Sequence, residues 1–164
     1  GAVVAGSLDG AGHEVVVIDT STSAFDRLPA GFRGEAIRAD GTDEDSLRRA
    51  GAENADVFLA LTEGDNRNVM AAQLAIEALG VKRVLAKVND PVRAEAYADL
   101  GISTICRTDL MAHALLGFIG LRTAEPPAVR AAGIHAHQAA DEAAPSGAGG
   151  PSAAAAGRLP SREA

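Results

Sequence analysis

Asp19 follows four β-branched residues, Val15-Val16-Val17-Ile18, and stands eighteen positions after Gly1. A carboxylate that ends a buried strand, about 20 residues beyond a glycine-bearing turn, is placed to accept hydrogen bonds from the two hydroxyls of an adenosine ribose. An acid there repels the 2′-phosphate of NADP, but it does not separate NAD from adenine nucleotides, which share the same diol. Three more polar positions follow or close apolar runs: Asp40-Gly41-Thr42, Thr62 and Lys87. Asp40-Gly41-Thr42 reads equally as a turn with a helix cap or as a ligand-facing segment, and it can serve as both. Thr62-Glu63-Gly64-Asp65 leads into a helix, with Asp65 as its expected cap. The free N–H groups at such a helix start can receive a phosphate. Lys87 closes an otherwise apolar strand, where a cation has little structural purpose. Its plain alternative is a solvent-facing side chain beside Asp90.

The elements that must position these groups follow from pattern. Apolar residues at Val4 and Leu8 predict a first helix over residues 2–8, ended by Gly10 and Gly12. Strands are predicted at 15–18, 35–39, 57–61, 83–88 and 103–106. Between them lie a short helix through Leu28, one over 46–50 capped by Thr42 or Asp43, an amphipathic one over 65–79, and one from Pro91 to Leu100. A strongly apolar helix over 109–121 follows. Strands alternating with helices at this spacing give an α/β, Rossmann-like, doubly wound parallel sheet. Right-handed crossovers bring the strand ends bearing Asp19, Asp40, Thr62 and Lys87 to one edge, where ligands bind in such sheets.

Gly1 takes the place of the last glycine of G-x-G-x-x-G, so a first strand and two glycines are expected ahead of it. That strand belongs at the sheet centre. Without it the 15–18 and 57–61 strands lose their shared neighbour, and this chain alone is expected to be unstable or to bind nucleotide poorly.

The net charge of −7 and the lack of a long basic cluster argue against nucleic acid as main partner and against a polybasic membrane anchor. No apolar run approaches the ~20 residues of a membrane span, so direct insertion is not expected. A single cysteine, Cys106, excludes an internal disulfide and fits a reducing, cytoplasmic setting. Composition breaks near Arg122: residues 1–121 read as the nucleotide-binding domain and 122–164 as a low-complexity tail, expected to be disordered. His13, His113, His135 and His137 show no convincing metal-ligand spacing, and Cys106 reads as a small buried residue.

Taken together, Gly12-His13-Glu14-Val15-Val16-Val17-Ile18-Asp19, Ala39-Asp40-Gly41-Thr42-Asp43, Ala55-Asp56 through Leu61-Thr62, Asp65, Asn68, Leu85-Ala86-Lys87-Val88-Asn89 and Leu100-Gly101-Ile102 resemble the TrkA N-terminal (RCK or KTN) domain family over residues 1–121. The resemblance implies a cytoplasmic regulator of potassium uptake that binds NAD(H) or ATP/ADP and forms a homodimer or ring. It implies docking to a separate membrane-embedded potassium channel or transporter subunit, at the inner face of the membrane. It also implies that Asp19 holds the ribose diol, that Asp40 and Thr42, with Gly41 between them, flank the adenosine, that Thr62 lies near the phosphates, and that Lys87 faces the ligand. The 109–121 helix, apolar around most of its circumference, would cross to a neighbouring subunit. No C-terminal RCK subdomain is recognisable after Leu121.

The alternative is an NAD-dependent oxidoreductase, since the same fold serves both. It is disfavoured: Tyr97 is the sole tyrosine, position 101 is glycine and not lysine, and neither His13 nor His113 has an acid placed to orient it.

Overall fold

Helix and strand alternate along the chain, and every strand pair is parallel. The computed structural model describes residues 1–121 and 129–132. Helix α1 (Ala2–Gly10) leads to β1 (Val16–Asp19), a 3-10 helix (Thr22–Arg27) and β2 (Glu35–Arg38). Then come α2 (Glu44–Arg49), β3 (Val57–Ala60), α3 (Asp65–Gln73), β4 (Arg83–Val88), α4 (Pro91–Asp99), β5 (Ser103–Cys106) and α5 (Arg107–Phe118). This is the expected Rossmann-like α/β architecture, but its strands form two sheets. β1 pairs only with β2, with Val16 opposite Glu35, and β3, β4 and β5 form a second sheet in that order. β1 and β3, for which the sequence reading expected a shared neighbour, each have one partner strand. Val16 and Val57, which open these two strands, are 46% and 41% exposed.

The core belongs to the second sheet. Leu47, Val69, Ala72, Ala75, Val84, Ala86, Val88, Ala94 and Cys106 pack between that sheet and its helices, and from the first sheet only Ile18 packs against the cluster. Because β3, β4 and β5 run in order, right-handed crossovers put α3 and α4 on one face.

Several elements differ from the sequence expectation for identifiable reasons. α1 buries Ala5 and Asp9, not Val4 and Leu8. Asp9 accepts from the Arg33 amide and pairs with its guanidinium (3.5 Å), and the Asp9 carbonyl accepts from Arg33 Nη2 at 2.7 Å, so a polar tie sets the inward face. α3 does not run regularly to Leu79. It widens into a π-helical turn over Leu74–Ala78, in which the Leu79 amide donates to the Leu74 carbonyl. α5 begins directly after β5 at Arg107, with no separate turn. Most of the expected 122–164 tail lies outside the described residues. Residues 129–132 lie against the outer edge of β5, where Arg130 and Thr104 exchange two backbone hydrogen bonds of 2.8 and 2.9 Å.

Gly34 fixes the β1–β2 register. A Cβ there would sit 2.3 Å from the Val15 carbonyl oxygen, which is the acceptor for the Glu35 amide. Gly34→Ala is expected to cost about 2 kcal/mol, since neither strand can shift without breaking the ladder. Urea denaturation would measure it, and amide exchange should rise in β1 and β2 while the β3–β5 sheet stays protected.

Candidate functional site

Asp19, Asp40, Thr62 and Lys87 all lie at or near the carboxyl ends of their strands, the first two in the β1–β2 sheet and the last two in the β3–β5 sheet. Each is held differently. The half-buried Asp19 ends β1, and its Oδ1 accepts from the Ser21 amide at 2.8 Å, a turn that fixes the carboxyl group. Asp40 follows β2 and closes an Asx turn: its Oδ1 accepts from the Thr42 amide (2.9 Å) and hydroxyl (2.8 Å). Those two bonds hold the Asp40 carboxyl below the ordinary aspartate range, and the nearby Arg67 guanidinium acts in the same direction. The cap of α2 is Asp43, whose Oδ2 accepts from the Ser46 amide at 2.9 Å. Gly41 has no positive φ, and a Cβ on Gly41 or on Gly1 would meet open space.

Thr62 is engaged mainly by Asn68, its hydroxyl also lying 3.5 Å from the Gly64 carbonyl. Its amide (2.8 Å) and hydroxyl (2.7 Å) donate to Asn68 Oδ1, and its carbonyl accepts from Asn68 Nδ2 (3.0 Å). The same Nδ2 donates to the Lys87 carbonyl at 2.8 Å, so Asn68, at 0% exposure, knits the ends of β3 and β4 together. Lys87 itself is half-buried, and no ion pair among the described residues engages its ammonium.

Asp65 is not the cap of α3. The N-cap is Gly64, with no side-chain hydrogen bond, whereas α2 and α4 are capped by Asp43 and Asp90. Asp65 instead turns its Oδ1 to Asn89, accepting from the backbone amide (3.0 Å) and from Nδ2 (2.7 Å). No side chain caps the first turn of α3. Arg67, in that first turn, is a cation the sequence reading passed over. Its position two residues past the start of a helix at this edge was the available signal.

The arrangement brings Asp40, Thr42 and Arg67 together, and Thr62 with the end of β4. Asp19 ends β1 in the same sheet as the β2 that Asp40 and Thr42 follow, and Gly1 is the N-cap of α1. Two open depressions lie at the other edge. One is lined by residues including Asp9, Val16 and Arg33, and the other by His13, Asp56, Val57, Lys82 and Arg83. Neither includes a strand-end residue named above. Tyr97 is occupied by Arg93, which donates to its hydroxyl at 3.2 Å and lies 5.7 Å from the ring centre. His113 sits half-buried on α5, and Cys106 is buried with its Sγ directed to the Asn89 carbonyl at 3.6 Å.

No residue of α5 is buried. Met111, Leu115, Phe118 and Ile119 are exposed, Phe118 to 90%. The helix is held at its base, where Arg130 Nη2 meets Asp109 Oδ2 at 2.6 Å. Among the described residues, no helix is long and apolar enough to cross a membrane.

Residues 1–108 match the family described as the TrkA-N domain. The Trk system potassium uptake protein TrkA of Streptomyces coelicolor is 41% identical over 126 residues, covering 77% of this chain and 56% of the relative. The TrkA homolog of Pyrococcus abyssi is 29% identical over 100 residues, covering 61% and 44%. The chain thus spans about half the length of the curated relatives it matches. Among solved structures, the NAD(P)-binding domain of an exopolyphosphatase-related protein from Archaeoglobus fulgidus superposes with a TM-score of 0.58 at 22% identity, covering 72% of this chain and 88% of that one. The Kef C-terminal domain of Shewanella denitrificans, in an AMP-bound form, gives 0.58 at 20% identity, covering 85% and 82%. At such identities the likeness is one of fold.

Proposed function

This chain belongs to the TrkA-N domain family, and on that premise we propose that it is the nucleotide-sensing part of a regulatory subunit of potassium uptake. The ligand is an adenosine compound, NAD(H) or ATP/ADP. Asp19 would take the ribose diol with the carboxylate oxygen that Ser21 leaves free. Asp40, Gly41 and Thr42 would border the adenosine, and Gly1 would allow close approach at the start of α1. Thr62 and the uncapped first turn of α3 would lie by the phosphates, with Lys87 and Arg67 as counter-charges. The partner is a membrane-embedded potassium channel or transporter subunit, which the chain would meet from the cytoplasmic side. The bare apolar length of α5 favours a second copy as its cover, giving a homodimer or a larger ring.

The observation that supports this reading is that Asp19, Asp40, Thr62 and Lys87 each lie at or just past the carboxyl end of a parallel strand, with a helix start after Thr62 that no side chain caps. A hydride-transfer enzyme is less well supported, because the Tyr97 hydroxyl is already paired with Arg93. Calorimetric titration with NAD, NADH, ATP, ADP and AMP tests the proposal, on this chain and on a version with a β-strand fused ahead of Gly1. At least one nucleotide should bind the strand-fused version stoichiometrically. Asp19→Ala should weaken it by about 10–100-fold, the worth of a charge-assisted hydrogen-bond pair. Unchanged affinity in that variant, or no binding by either chain, would end the proposal.

A further inference from the structure

The outer edge of β5 is occupied. β4 pairs with β5 on one side, and on the other Arg130 and Thr104 exchange both backbone hydrogen bonds in an antiparallel bridge. Thr104 is buried and its hydroxyl is spent on the Ala94 carbonyl at 2.8 Å, so it offers only its main chain outward. The ladder stops after one pair for a definable reason. The next pair in that register would join Ile102 to Ala132, but the Ile102 amide already donates to the Tyr97 carbonyl at 3.0 Å. The Ser103 hydroxyl oxygen accepts from the Ala132 amide instead, at 3.2 Å. Exposure alternates along the segment as on a strand: Val129 and Ala131 are exposed, Arg130 and Ala132 half-buried. Arg130 Nη2 donates to Asp109 Oδ2 in the first turn of α5, and the two side chains are 18% and 20% exposed.

We propose that this edge is a docking site for an extended peptide with arginine opposite Thr104 and a small residue two positions on, and that Val129–Ala132 fill it in cis. The Thr104 main chain would hold any extended segment, and Asp109 selects arginine through a charge-assisted hydrogen bond. An open surface pair would select weakly, but this one is largely shielded from water. Arg130 Nη1 is buried without a partner among the described residues, so the place of the guanidinium depends on its Asp109 contact. Residues 122–128 tether the segment to Leu121, and so short a tether gives an effective concentration on the order of mM. A free peptide must compete against that, and a strand of a second copy is denied the same edge. The docking needs no nucleotide.

Amide exchange in the full chain reads the cis contact. Arg130→Glu and Asp109→Arg should each speed exchange of the Thr104 amide about tenfold. Combined, they restore the charge pair in reverse, and exchange should return to within about threefold of wild type. Additive losses in the double variant overturn the role given to the pair. Protection of β4 shows that a variant keeps its sheet, and Arg130→Gln and Asp109→Asn repeat the single comparisons if a reversal loses it. A blocked Val-Arg-Ala-Ala peptide, titrated into the full chain and followed by NMR at Thr104, reads the site in trans. It should bind the Arg130→Glu chain about tenfold more tightly than wild type, because the cis segment no longer competes. The same peptide with glutamate in place of arginine should instead select the Asp109→Arg chain. Equal binding to wild type and Arg130→Glu, or indifference to the arginine, overturns the docking site. So does a dimer of the Arg130→Glu chain, seen by sedimentation, that the peptide fails to dissociate, since the edge would then be a surface between copies.

Discussion

A five-residue β-branched segment, joined ahead of Gly1 by a glycine-containing turn, is expected to raise stability by about 3–5 kcal/mol. The reasoning starts from the two free edges. β1 is paired on one side by β2, β3 on one side by β4, and their other edges carry unpaired backbone groups. Ile18 of β1 and Phe58 of β3 pack against one common cluster, so both edges border the same core. A parallel strand entering between them would gain hydrogen bonds on both sides and cover Val16 and Val57. Each buried Val or Ile contributes ~1.5–3 kcal/mol, against ~1–2 kcal/mol per residue for ordering the backbone. The surplus is modest per residue but accumulates over the strand and its two ladders. For a domain of this size it corresponds to a rise in melting temperature on the order of 10 °C or more. Calorimetry would measure it, and amide protection should appear in Val16–Asp19 and Val57–Ala60 together. Proline at the middle of the added segment should abolish the gain, because it withholds a ladder hydrogen bond. If the melting temperature did not move, the two sheets would not be halves of one, and the shared edge proposed for nucleotide would lose its frame.

The two-sheet division was legible only in part: the reading took the 15–18 and 57–61 strands to lose a shared neighbour, as their continuous apolar runs call for one on each side, but it kept all the strands in one sheet. Strand ends were legible for the same reason: a polar residue closing an apolar run marks where the sheet stops. Arg83–Val88 and Ser103–Cys106 were bounded as observed. What escaped were matters decided by contacts distant in sequence. Asp65 has the composition of a cap, yet Asn89, 24 residues on, competes for its carboxylate and wins. The inward face of α1 depends on Arg33, also 24 residues from Asp9. The need for glycine at position 34 arises from a carbonyl on a neighbouring strand. Local pattern carries no record of such partners. Arg130 is the extreme case: it lies in a stretch whose composition reads as unstructured, but its backbone bridges β5 and its side chain meets Asp109.

The second large effect is expected at Asn68, which belongs to the resemblance as a bare letter and acquires a reason only from its four hydrogen bonds. Asn68→Ala removes the partner of the Thr62 amide, hydroxyl and carbonyl and of the Lys87 carbonyl at once. Each buried group left unpaired costs ~1–3 kcal/mol, and some would recover water at this edge, so a loss of about 4 kcal/mol is expected. Asn68→Asp separates the hydrogen bonds from simple loss of volume. The carboxylate keeps the acceptor that Thr62 uses but turns a charged oxygen toward the Thr62 and Lys87 carbonyls. Burial and those carbonyls would raise the folded-state pKa of the introduced acid above its unfolded value of ~3.9. With that sign, the folded state binds the extra proton, and the variant loses stability as pH rises from about 4 through the folded pKa. Urea denaturation of Asn68→Asp between pH 4 and 8 should therefore show falling stability relative to the parent chain, whereas Asn68→Ala should show a pH-independent deficit. Parallel curves for the two variants would mean that Asn68 fills space and does not bind the strand ends. Thr62 and the end of β4 would then be free to move apart, and a phosphate-facing corner built on them would have no fixed geometry.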